Sequence, residues 1–253
     1  MGRRLGQHFL KDRNILKKIA GALEIQSGDF IIEIGPGRGS LTELLMAAPV
    51  GRVIAIEKDK KLALDLKLKN RNDVVLEVIE DDVLKVLPTI TNKLNGEYKL
   101  IGNIPYYITG HLLRIVSELD HKPSLIVFTM QKEVAKRLSA KPPAMNLLAA
   151  SVQYWADPKI IASIPPGSFI PPPKVDSAII SLKTKKVKNS EDYYKFIKIL
   201  FKQPRKTILN NLSEGLEMEK DAIKEKLADL DIKERNRPQN LDLETIKKMS
   251  KLF

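Results

Sequence analysis

Between residues 30 and 130 the chain alternates between two hydrophobic patterns. Short runs nearly continuous in Val, Ile and Leu stand at Phe30–Ile34, Arg52–Glu57, Val74–Ile79, Tyr98–Gly102 and Ser124–Met130. Between them, at 39–48, 59–69, 83–91 and 109–118, apolar residues recur at the spacing of one helix face. Strands that are apolar on both sides need cover on both faces, so the alternation predicts a doubly wound α/β domain around a parallel sheet. A helix is also predicted over 12–23, with Asp12 as its cap, and two more over 131–139 and 144–155. The proline-rich passage Ile164–Pro173 reads as a stiff loop, because proline cannot donate to a ladder. Its flanks, Lys159–Ile164 and Val175–Leu182, suit the two strands of a closing antiparallel pair. Beyond the basic linker Lys183–Lys188 only helical patterns remain, at Tyr193–Phe201, Thr207–Leu212, Ala222–Leu230 and Leu243–Met249. A boundary near 184 is therefore expected, with an α/β domain over 1–184 and a small all-helical domain over 185–253.

Composition narrows the class. With 253 residues, 43% of them hydrophobic, the chain can bury a real core. No run approaches the ~18 apolar residues of a membrane span. No apolar stretch follows the N-terminal charges, so a signal peptide is not expected and the cytoplasm is. There are no cysteines, and the three histidines (His8, His111, His121) do not pair at ligand spacing, so no metal is expected. The formal net charge of +12 favours a polyanionic partner, although charge also serves solubility alone. Residues 1–18 hold six Lys/Arg against one acid, and residues 184–253 hold seventeen against twelve. A basic N-terminal arm combined with a spread excess suits a surface that tracks a nucleic-acid backbone.

The segment Glu33-Ile34-Gly35-Pro36-Gly37-Arg38-Gly39 ends the first strand and opens a helix. Glycines there allow a sharp turn and a close approach to a ligand, though turn chemistry alone would also explain them. A dinucleotide loop wants G-x-G-x-x-G, whereas here the third glycine comes one residue early and Ser40 takes its place. Glu57 ends the second strand, where a carboxylate can accept from both ribose hydroxyls, and Asp82 follows the third, where it can accept from an adenine amino group. Either acid alone reads equally well as a solvated turn residue. Together with Gly35 they mark one crevice at three successive strand ends, which points to an adenosine-containing cofactor.

The fourth strand ends in Gly102-Asn103-Ile104-Pro105-Tyr106. Its structural reading is a turn beside a core tyrosine. Its chemical reading starts from the adenine amino group, whose lone pair is delocalised into the ring. The Asn103 side-chain carbonyl and a neighbouring backbone carbonyl can hold its two hydrogens and orient that lone pair. Tyr106 can stack on the ring, and Pro105 fixes the backbone between them. Such chemistry is accelerated by positioning, without a prior general base.

The sequence resembles the KsgA-type small-subunit ribosomal RNA adenine dimethyltransferases over nearly its whole length. The residues that carry the resemblance are Gly6–Leu10 (GQHFL), Glu33–Gly37 (EIGPG), Asn103–Tyr106 (NIPY), Gln131–Val134 (QKEV), Phe169–Ser177 (FIPPPKVDS) and Arg205-Lys206-Thr207. The resemblance implies a seven-stranded, Rossmann-like class I methyltransferase domain that binds S-adenosylmethionine, followed by a helical domain that contacts RNA and ribosome. It implies transfer of two methyl groups to each of two adjacent adenosines near the 3′ end of small-subunit (16S) rRNA, on an immature small subunit; a monomer is expected. By the same resemblance His8, Leu10, Gly35, Glu57, Asp82 and Asn103 would touch the cofactor. Tyr106 and Phe169 would sandwich a target adenine drawn out of its stack, and Arg205 and Lys206 would face RNA. The chain departs from the family at Pro142–Leu148, where a Tyr-Gly helix start is usual, and at Pro204, where a second Arg is common.

Three other functions compete. A large-subunit rRNA methyltransferase of the antibiotic-resistance type shares the tetrad, but FIPPPKVDS and Arg205-Lys206-Thr207 argue against it. An RNA-binding assembly or transcription factor with lost catalysis would not need Gly35, Glu57, Asp82 and Asn103 intact. A nicotinamide oxidoreductase fits less well than either, because the glycine spacing is wrong for it.

Overall fold

The computed structural model describes residues 8–187 and 190–253. Arg3, Arg4, Gly6 and Gln7 of the N-terminal arm and motif, and Lys188 of the linker, lie outside the described residues. The strands are β1 (Phe9–Leu10), β2 (Phe30–Ile34), β3 (Arg52–Glu57), β4 (Leu76–Glu80), β5 (Lys99–Asn103), β6 (Leu125–Gln131), β7 (Ala156–Ile164), β8 (Phe169–Ile170) and β9 (Ser177–Thr184). The helices are α1 (Arg13–Ala22), α2 (Ser40–Met46), α3 (Lys60–Lys69), α4 (Val83–Thr91), α5 (Thr109–Glu118), α6 (Lys132–Leu138), α7 (Leu147–Trp155), α8 (Ser190–Leu200), α9 (Ile208–Leu216), α10 (Lys220–Ala228) and α11 (Leu243–Leu252).

Seven strands form one sheet in the order β4-β3-β2-β5-β6-β9-β7. The first five are parallel, and β9 runs antiparallel to β6. The register sets Ile34 beside Ile56 and Gly102, Glu57 beside Glu80, and Asn103 beside Thr129, so these strands end along one edge of the sheet. Strand order reverses between β2 and β5, and a crevice opens at that edge, where ligands of such sheets bind. A separate two-stranded ladder joins β1 to β8, with Phe9 opposite Ile170 and Leu10 opposite Phe169.

The chain divides into two compact units. The first spans residues up to 135 and 158–184, and its core stacks Ile31, Val53, Ile101, Val127 and Ile179 of successive strands against Leu16, Ile19 and Leu23. Each such side chain contributes about 1.5–3 kcal/mol by leaving water. The second comprises 136–157 and 185–253, built around Ala149, Tyr193, Phe196, Ile197, Leu212, Ile223 and Ile246. The boundary expected near 184 is one of three passages between the units. The units themselves differ from the expected division at 136–157, because Met145, Ala149 and Ala150 belong to the helical core. Met145 lies within the departure noted above and is buried there, and Asn146 caps α7 by accepting the Ala149 N–H at 3.1 Å.

Local chemistry explains most helix starts. Asp12 accepts the N–H groups of Asn14 and Ile15, Asp59 those of Lys61 and Leu62, and Thr207 that of Asn210. Among the described residues no helix is long and apolar enough to cross a membrane, and no group of three or more His, Cys, Asp or Glu could hold a metal ion.

Candidate active site

The glycine loop connects β2 to α2 with Gly35, Gly37 and Gly39 at φ of 64°, 59° and 82°. Side chains are strained in that region, and a Cβ on Gly37 would stand 3.0 Å from the Phe9 ring. The loop is pinned from β3. Gly37 N–H donates to Glu57 Oε2 at 3.0 Å, and Asp59 N–H donates to Oε1 at 2.8 Å. Glu57 is only 4% exposed, and burial, partly offset by these bonds, raises its carboxyl above the ordinary range.

His8, Leu10, Gly35, Glu57, Asn103, Tyr106 and Phe169 line one cleft of about 890 Å³. A neighbouring cleft of about 500 Å³ shares Gly35, Glu57 and Pro105 and is completed by Lys58, Asp82, Val83 and Tyr107. The eight residues expected at the cofactor and the target adenine thus line two adjoining hollows of one crevice. Asp82 accepts the Leu84 N–H at 3.0 Å as the cap of α4 and pairs with Lys58 Nζ at 2.8 Å. Burial works against its charge, but Lys58 and the Leu84 N–H outweigh it and hold the carboxyl below the usual range. The cap and ligand readings of Asp82 are compatible, since a carboxylate has acceptor sites beyond those two bonds.

The tetrad is held from several sides. Asn103 Nδ2 donates to the His8 carbonyl at 2.9 Å, and its Oδ1 accepts from the Thr129 hydroxyl. The Tyr106 hydroxyl is 2.7 Å from Ser177 Oγ. The Pro105 carbonyl accepts the Ile108 N–H at 3.1 Å. Tyr106 faces the His8 ring, with centroids 6.1 Å apart and planes at 26°. Phe169 is 2% exposed and is carried by the β1–β8 ladder. That ladder is reinforced by Lys11 N–H donating to the Ser168 carbonyl at 2.9 Å and by His8 Nδ1 standing 2.7 Å from the Pro171 carbonyl.

Several residues of the site receive no role from the sequence. Glu33, 1% exposed, lines the larger cleft and accepts from the Thr42 hydroxyl at 2.7 Å. Burial, then the neighbouring Glu57 charge, pushes its carboxyl up to about 7 against the Thr42 bond. Arg38 lies 4.9 Å over the Phe9 ring at the rim of the same cleft. A lone acid inside Phe-Ile-Ile-Glu-Ile was a readable signal for Glu33. Ser177 stands only as the last residue of FIPPPKVDS, with no role of its own, and Thr129 gives no signal beyond sitting in an apolar strand.

The crevice has the groups that S-adenosylmethionine would need: carboxylates at the ends of two neighbouring strands, Glu57 and Asp82, beside a glycine loop too tight for side chains. The fold and this crevice are those of the Rossmann-like, S-adenosylmethionine-dependent methyltransferases. A family model, ribosomal RNA adenine dimethylase, matches residues 2–253, and the chain belongs to that family. It is 37% identical to the ribosomal RNA small subunit methyltransferase A of Dehalococcoides mccartyi, covering 98% of this chain and 87% of the relative. It is 39% identical to the protein of that name from Clostridioides difficile, covering 98% and 89%. A dimethyladenosine transferase from Plasmodium falciparum superposes with a TM-score of 0.81 at 28% identity, covering 96% of each chain. The 23S rRNA methyltransferase ErmE shares the fold, with a TM-score of 0.77 at 22% identity over 96% of this chain and 98% of that one.

Proposed function

We propose that this chain dimethylates the exocyclic amino groups of two adjacent adenosines near the 3′ end of small-subunit (16S) rRNA, acting as a cytoplasmic monomer on immature small subunits. The observation that carries the reading is that Asn103, Tyr106 and Phe169 line the same cleft as Gly35 and Glu57. Membership of the family and the name shared by its relatives supply the substrate.

In this reading Glu57 accepts from the ribose hydroxyls, Asp82 from the cofactor's adenine amino group, and His8, Leu10, Gly35 and Asn103 enclose the remainder. When bound, S-adenosylmethionine supplies a methyl group on a positively charged sulfur. The target adenine lies between Tyr106 and Phe169. One amino hydrogen goes to Asn103 Oδ1, which has a lone pair beyond the one facing Thr129. The Pro105 carbonyl already accepts from both the Ile108 N–H and the Thr109 hydroxyl, so the second hydrogen goes to the Ile104 carbonyl. Both hydrogens are then held in the ring plane, and the lone pair faces the methyl. The N-terminal arm, Arg205 and Lys206 follow the RNA backbone, with the helical domain contacting RNA and ribosome.

The test is to incubate the protein and labelled cofactor with small subunits lacking the modification, and to map the methylated nucleotides. Dimethylation of two neighbouring adenosines near the 3′ end is expected. Label confined to large-subunit RNA, or absent from both RNAs despite cofactor binding, would overturn the reading.

A further inference from the structure

Two buried hydroxyls lie behind the tetrad, one on each strand of the antiparallel pair β6–β9. Thr129 and Ser177 are each 1% exposed. Thr129 is the neighbour of Asn103 in the β5–β6 ladder, and its hydroxyl donates to Asn103 Oδ1 while Nδ2 is tied to the His8 carbonyl. The amide cannot exchange its oxygen and nitrogen without breaking both bonds. Ser177 pairs with Gln131 on the same strand as Thr129, and its Oγ anchors the far end of the Tyr106 ring at 2.7 Å.

We propose that Thr129 and Ser177 are positioning residues that sustain the second methyl transfer to each adenosine. The proposal rests on the function proposed above. In the first transfer the amino nitrogen has two N–H bonds, one for each acceptor. Its lone pair forms the N–C bond as the S–C bond breaks, the electron pair passes to sulfur, and the nitrogen then releases one proton to solvent. The resulting methylamine has a single N–H, so one acceptor has lost its partner. The ring is now held by one hydrogen bond and by stacking alone. An amide free to turn would present N–H to N–H, and a ring free to swing would misalign the lone pair. Thr129 prevents the first fault and Ser177 the second. Loss of either hydroxyl therefore slows the second transfer more than the first.

The experiment follows monomethyl- and dimethyladenosine over time on small subunits, by digestion and mass spectrometry, for native protein, Thr129→Val and Ser177→Ala. Monomethyladenosine should accumulate in both variants, with the ratio of second to first rate lowered about tenfold, the effect of one hydrogen bond of ordinary strength. Thr129→Ser and Ser177→Thr should restore the native ratio. An unchanged ratio, or equal slowing of both steps, would overturn the proposal. If Thr129→Val fails to fold, Thr129→Ala gives the same comparison. Native protein that leaves small-subunit adenosines unmethylated would overturn the proposed function, and this proposal with it, before any variant is compared.

Discussion

Glu33 shows how far burial, helped by the neighbouring Glu57 charge, changes a side chain. Its carboxyl titrates near 7 in the folded protein, against 4.5 for an exposed glutamate. Between those values the folded state binds a proton that the unfolded chain has released. Its contribution to stability is thus fully present below pH 4.5 and is lost as pH rises through 7, by about 3 kcal/mol. Replacing Glu33 with Gln should flatten the stability profile between pH 5 and 8 in urea unfolding; a profile as steep as the native one would contradict the assignment. Asn103 makes the complementary prediction. Asn103→Ala should cut methyl transfer by about 100-fold or more, because an acceptor aimed at the reacting group is lost, while RNA affinity stays nearly unchanged. Parallel loss of both activities would mean that the side chain is structural.

Elements show most clearly where the site depends on chain path. At the end of β5, Gly102 has no room for a side chain: a Cβ there would lie 2.5 Å from the Ile34 carbonyl oxygen. Gly102→Ala should part β2 from β5 and abolish cofactor binding, measured by titration, with stability lowered by about 1–3 kcal/mol, typical of overpacking. Binding at native affinity would show that the strands yield without harm. The five parallel strands were legible in the sequence because each is an apolar run bounded by turn residues, and β2 and β3 fall on the residues expected. The ends of β4, β5 and β6 shift by one or two residues, as hydrophobicity does not mark where a ladder stops. The strands β1 and β8 were illegible. Two residues carry no periodicity, and their pairing spans about 160 positions of chain. The residues His8 and Phe169 could therefore be named only through motifs, and the hydroxyl partners of Asn103 and Tyr106 only through the folded register.

For the whole molecule, charge is the property that reaches furthest. A formal net charge of +12 on 253 residues predicts RNA binding that weakens steeply with salt. A surface touching about six phosphates loses about 10³-fold in affinity between 50 and 200 mM salt; a flat dependence would refute the backbone-tracking role. Arg205 is exposed, whereas Lys206 is paired with Glu214 at 3.0 Å. Arg205→Ala should therefore reduce the slope of log affinity against log salt by about one, and Lys206→Ala by less.

The ladder between β1 and β8 also bears on when the enzyme becomes active. A ribosome makes residues 8–10 at the start of the chain and residues 169–177 more than 150 positions later, yet the cleft needs both. A nascent chain halted near residue 160 has the glycine loop and the tetrad but lacks Phe169, the partner strand of Leu10 and the anchor of Tyr106. Competence should thus arrive late in translation, as a step once β9 has emerged, and ribosome-stalled chains of increasing length should acquire cofactor binding only beyond that point.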